Sequence, residues 1–126
     1  MAKNPVAWFE IYVEEMARAR KFYETVLDVS LEKLNDPNDP GVEMSAFPSS
    51  MEGYGATGAL VKMEGFSSGG NSTLVYFSCD DCAVEESRVE KAGGKIQQSK
   101  MAIGEHGFIS LAVDSEGNMF GLHSQK

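Results

Sequence analysis

Histidine and cysteine, on which much metal and nucleophile chemistry depends, are nearly missing from this chain: two of each in 126 residues. Cys79 and Cys82 form a lone C-x-x-C, with no second pair and no H-x(3–5)-H run to complete a zinc site. A redox dithiol is the sharp reading of that pair. The plain one ends a buried strand at Cys79 and opens a helix on its inner face at Cys82, both acting as small core hydrophobes. Long apolar runs are missing as well: none approaches the ~18 residues that cross a bilayer. The opening MAKNPVAW lacks the apolar stretch of a secretory signal, so the expected location is cytoplasmic, with no membrane partner. Basic residues are few, 11 against 19 acidic ones, for a net charge of −8. That balance argues against nucleic acid, which requires a basic surface to displace counterions, and suits plain solubility or cationic small molecules.

What is present is a chain of one-domain size with 42% hydrophobic residues, enough for a core. Trp8 to Val13 alternates as a strand, with Trp8, Glu10 and Tyr12 on one face and Phe9, Ile11 and Val13 on the other. Glu14 and Glu15 stand at a helix start, where acids complement the helix dipole. Met16, Ala19, Phe22, Tyr23, Val26 and Leu27 then recur as one helical stripe. A strand at Ser30–Leu34, a turn at Asn35–Gly41, and strands at Val42–Phe47 and Thr57–Met63 follow, with a polar loop between the last two. Glu64 to Ser72 has linker composition. The second half repeats the order: a strand at Thr73–Cys79, Asp80 and Asp81 as helix caps, and a helix carrying Cys82, Val89 and Ala92 inward. Gly93-Gly94 stops that helix; strands at Lys95–Gln98, Gly107–Val113 and Asn118–His123 complete the chain, the last two joined by a turn at Asp114–Gly117.

Sliding the chain on itself by one constant shift lays Trp8 on Leu74, Val13 on Cys79, Glu14-Glu15 on Asp80-Asp81 and Tyr23 on Val89. Apolar and acidic classes agree through strand, turn and helix without a gap, the mark of an internal repeat. The predicted fold class is α+β: two tandem βαβββ modules, about 5–63 and about 73–124, joined by the Gly/Ser-rich segment 64–72 into a single domain.

The stretches FEIYVEEMARARKFYETVL, GALV, VEKAGGKI and the closing VDSEGNMFGLHS make the chain resemble the vicinal oxygen chelate superfamily. This is the glyoxalase, bleomycin-resistance and extradiol dioxygenase group. The resemblance implies a curved, mostly antiparallel eight-stranded sheet forming a cup, with two flanking helices, and a tendency to homodimers. Metal-using relatives place ligands at four inward strand positions, which fall here on Trp8, Ala59, Leu74 and Gly121. None of these side chains is a metal donor, so no metal and no other cofactor is expected, and the Lewis-acid mechanism of those relatives lapses.

If Trp8 faces the cup, alternation brings Glu10 and Tyr12 with it, then Tyr76 and Ser78 beyond Leu74, while Met119 and His123 flank Gly121. The expected ligand-binding set is Trp8, Glu10, Tyr12, Ala59, Leu74, Tyr76, Met119 and Gly121, aromatic and apolar with few polar groups. A carboxylate on an inward strand face is costly to bury charged, so Glu10 is either an acid/base group or is satisfied by hydroxyls such as those of Tyr12 or Tyr76. His123 and His106 are its candidate catalytic partners, or rim residues. Three readings stay open: a metal-independent binder of a cationic or aromatic small molecule; a lyase or isomerase using Glu10, with or without a displaced metal site involving Glu105; and an interaction module whose cup is filled by protein.

Overall fold

In the computed structural model, which describes residues 4–34, 41–50, 52, 53 and 55–126, the helical stripe buries Ala19, Phe22, Tyr23 and Val26 of α1 (Met16–Leu27). Such i, i+3, i+4, i+7 spacing gives a helix one apolar side, and Asp28, in the left-handed region at φ 54°, ends it with its N–H on the Glu24 carbonyl. Helix α2 (Cys82–Val89) starts on Asp81, whose carboxylate accepts the Ala83 N–H at 3.0 Å. Cys82 is fully buried in its first turn, as the plain reading of the C-x-x-C has it, while Cys79 is half-buried and falls just past the strand it was expected to end; both are free thiols. Burial, with Glu85 adding to it, pushes the Cys79 thiol up to about 12, far from a redox nucleophile.

The strands are β1 (Trp8–Tyr12), β2 (Glu32–Leu34), β3 (Glu43–Ala46) and β4 (Thr57–Lys62), then β5 (Tyr76–Ser78), β6 (Lys95–Ala102), β7 (Phe108–Val113) and β8 (Met119–Ser124). They fall into two sheets of four, ordered β1-β4-β3-β2 and β5-β8-β7-β6. In each, the first pairing is parallel and the other two are antiparallel. The expected α+β, two-helix, eight-strand order is present as two βαβββ units. The sheets meet at β1 and β5 through side chains rather than a hydrogen-bonded ladder, with Phe9 and Phe77 edge-to-face at 5.9 Å. β5 is shorter than expected and leaves Leu74 outside it; β6 runs longer, to Ala102, by taking register shifts after Ile96 and Gln98. The turn expected over Asn35–Gly41 lies, except for Gly41, outside the described residues. Among the described residues no helix is long and apolar enough to cross a membrane.

Both helices lie on one side: α1 packs on β3 and β4, α2 on β6, β7 and β8, and the helices touch each other. The core between helices and sheets draws on both units and is built from rings. Tyr23 meets Phe22, Phe47, Phe77 and Phe120 at centroid distances of 5.0–5.7 Å. Phe22, Tyr23 and Phe120 are fully buried, each contributing roughly 2 kcal/mol through burial alone. This shared ring cluster fixes how one sheet sits against the other, and so shapes the seam between them.

Candidate functional site

On β1 the alternation sends Phe9 and Ile11 to the core and leaves Trp8, Glu10 and Tyr12 on the opposite, cup face. Glu10 is solvent-exposed rather than buried, so the cost of burying its charge does not arise, and both its oxygens are engaged by its own strand neighbours: Trp8 Nε1–H donates to Oε2 at 3.2 Å and the Tyr12 hydroxyl to Oε1 at 2.8 Å. Each carboxylate oxygen keeps a second lone pair, and no described residue makes an ion pair with Glu10. The bond to Glu10, then burial, then the Glu10 charge raise the Tyr12 phenol above its ordinary value. One strand thus presents an indole, a carboxylate and a phenol as a connected row.

Beside that row, where β1 approaches the start of β8, lies a cavity of about 220 Å³. Glu10 and Tyr12 line one wall, Asn118, Met119 and Phe120 another, and Asn71 of the 64–72 segment part of a third. Apolar walls with a few convergent polar groups are the usual makeup of a small-molecule site. A wider cleft of about 370 Å³, bordered by Phe9, Phe47, Phe77, Leu27 and Thr57, has no ionisable group among its described lining residues. Of these two, the seam cavity is the one whose lining includes an acidic residue, Glu10, with no ion pair among the described residues.

The remaining expected site residues are spread along the cup faces. Ala59 pairs with Glu10 in the parallel register and is fully buried beside it. Trp8 is 42% exposed and Tyr76 44%, and Leu74 is also exposed, so these side chains leave the cup open rather than fill it. Gly121 pairs with Tyr76, whose ring covers the place a side chain would occupy there. His123 and His106 do not line the seam cavity; they pair with each other, His123 Nε2 lying 2.7 Å from the His106 carbonyl oxygen. The structure therefore groups Glu10, Tyr12 and Met119, and keeps both histidines apart from that group. At the positions that the resemblance assigns to metal ligands, Trp8, Ala59, Leu74 and Gly121 supply no donor. Among the described residues no three His, Cys, Asp or Glu side chains converge on a metal-sized site. This donor set does not fit the metal of metal-using relatives.

The turn at Asp114–Gly117, expected only as a chain reversal, is where the two units are tied. Asp114 takes the Tyr23 hydroxyl at 2.6 Å and the N–H groups of Glu116 and Asn118. The Asn118 amide donates to the Tyr12 carbonyl at 3.0 Å, fastening the cup strand of the first unit to the second. The Glu116 side chain, fully buried, receives the backbone N–H groups of Glu14 and Glu15 and a two-pronged Arg18 guanidinium. Tyr23 and Asn118 also border the seam cavity, so this knot sets its floor.

A family model described as the Glyoxalase/Bleomycin resistance protein/Dioxygenase superfamily matches residues 6–122. Among solved structures, glyoxalase I from Zea mays is similar at 22% identity and a TM-score of 0.74, over 96% of this chain and 46% of that one. The chain therefore spans about half the length of that relative. A glyoxalase/bleomycin resistance protein from Albidiferax ferrireducens is similar at 13% identity and a TM-score of 0.72, over 98% of this chain and 100% of the other. An antibiotic binding protein from a Streptomyces species shares 20% identity at a TM-score of 0.65, over 100% and 99%. At these identities the likeness is one of fold. A comparison with curated proteins found no match.

Proposed function

The chain belongs to the glyoxalase/bleomycin resistance protein/dioxygenase superfamily, and from that premise we propose that it is a metal-independent small-molecule-binding protein. Its ligand lies in the seam cavity against Glu10 and Tyr12. The observation that carries this reading is Glu10: its carboxylate is held by Trp8 and Tyr12 without a described cationic partner, and the residue lines a largely apolar cavity. A cation on the ligand pairs with this exposed carboxylate, and a planar apolar body suits the aromatic row beside it. The absence of donors at Trp8, Ala59, Leu74 and Gly121 supports independence from metal. Exposed Trp8, Leu34 and Tyr76 on the cup faces support a homodimer in which a second copy shields them.

Trp8 is the only tryptophan, so its emission reports on the row directly. Titration with a planar cationic dye, thioflavin T, is expected to quench Trp8 saturably and equally with and without a chelator. Glu10→Gln is expected to weaken the dye by about tenfold, as loss of one charge-assisted contact does. Non-saturable quenching, or binding that disappears with chelator, would overturn the reading.

A further inference from the structure

The 64–72 segment has the composition of a flexible linker, yet its polar groups are tied down. Ser68 Oγ donates to the Glu116 carbonyl at 2.7 Å, and the Gly69 N–H to Asn118 Oδ1 at 2.6 Å. Asn71 bridges Met119 both ways, its amide donating to the carbonyl and its Oδ1 accepting the N–H. Gly65, Gly69 and Gly70 all take positive φ, turns that residues with side chains rarely make. Ser67, Gly69 and Asn71 then line the seam cavity. Phe66 does not line it; its ring stacks on Tyr12 at 5.1 Å with planes 21° apart, although 51% of the residue is exposed.

We propose that this segment is a built wall of the seam site, with Phe66 as a positioning residue that holds the Tyr12 ring so that its phenol stays on Glu10. Tyr12 is then fixed at both ends, the hydroxyl by Glu10 and the ring by Phe66. Removing the stack frees the ring to swing, which loosens the hydroxyl from the carboxylate and softens the cavity wall. The wall role rests on the seam being the ligand site; the grip on Tyr12 does not.

The test follows the Tyr12 phenol by ultraviolet titration, assigned by difference against Tyr12→Phe. Phe66 is half exposed, so its variants fold, and unchanged thermal midpoints check this. In Phe66→Ala the Tyr12 midpoint is expected to fall toward the ordinary 10.0, with thioflavin T bound several-fold more weakly. Phe66→Trp, which can still stack, is expected to restore both, and Phe66→Leu neither. A Tyr12 midpoint identical in wild type and Phe66→Ala would overturn the positioning role. A wild-type protein that fails to bind the dye, with the midpoint still falling in Phe66→Ala, would overturn the wall role and the ligand reading while leaving the grip on Tyr12 standing.

Discussion

Glu116→Ala is expected to cost about 2–4 kcal/mol of stability, lowering the thermal midpoint by roughly 8–16 °C for a chain of this length. Helix α1 has no capping side chain of its own; its N-cap residue, Glu15, makes no side-chain cap bond. The cap comes from the other unit, where Glu116 accepts the N–H groups of Glu14 and Glu15 at 3.0 and 2.9 Å and Arg18 Nε at 2.6 Å. Alanine would leave two helix-end donors without their acceptor and Arg18 without its main partner. Burial pushes the Glu116 carboxyl up, but Arg18, Ser115 and the two backbone donors outweigh it and hold its pKa at about 2 instead of 4.5. A carboxyl depressed in the folded state stabilises above its unfolded value, and that contribution is lost as pH falls from about 4.5 toward 2. Urea unfolding across this range should therefore show a steeper acid loss in wild type than in Glu116→Gln, which cannot titrate. Equal slopes would place the acid sensitivity elsewhere.

Gly58→Ala is expected to cost about 3 kcal/mol, although it adds one methyl group. Gly58 lies opposite Phe9 in the parallel β1–β4 register. A Cβ there would overlap the Phe9 carbonyl oxygen and stand 2.7 Å from the Phe9 ring carbon Cγ. The ring has little freedom to yield, because it packs on Phe47 at 5.7 Å and Phe77 at 5.9 Å. Relief requires β1 to move off β4, and β1 carries Glu10 and Tyr12. Chemical denaturation and dye titration should thus fail together, while a Gly58→Ala protein of wild-type stability would mean that the sheet gives there more easily than the geometry allows.

Strand and helix periods were legible because they report local burial. Alternation from Trp8 to Val13 divided cup face from core face correctly, and the α1 stripe named the four residues that are buried. The internal repeat gave both units. The inter-unit knot was not legible, since nothing within DSEG shows that Asp114 binds Tyr23, or that Glu116 binds the start of α1, some hundred residues away in sequence. Its available signal was indirect: helix α1 begins without a Ser, Thr, Asp or Asn cap, so its free N–H groups had to find an acceptor elsewhere. The role of 64–72 was hidden for another reason. Glycine and serine mark a floppy linker and a tightly turned, hydrogen-bonded strap alike. Glu10 was singled out either as an acid/base group or as a carboxylate satisfied by a hydroxyl such as that of Tyr12 or Tyr76; the Tyr12 bond is present, whereas the residue's exposure, the bond from Trp8 and the separation of both histidines from it were not anticipated.

The most direct measurement is a crystal structure of chelator-treated protein soaked with the cationic dye. Dye density is expected in the seam between β1 and β8, its charged nitrogen within about 4 Å of the Glu10 carboxylate, with no metal in contact with it. Dye held elsewhere with the seam empty, or a metal ion bridging dye and protein, would contradict that expectation.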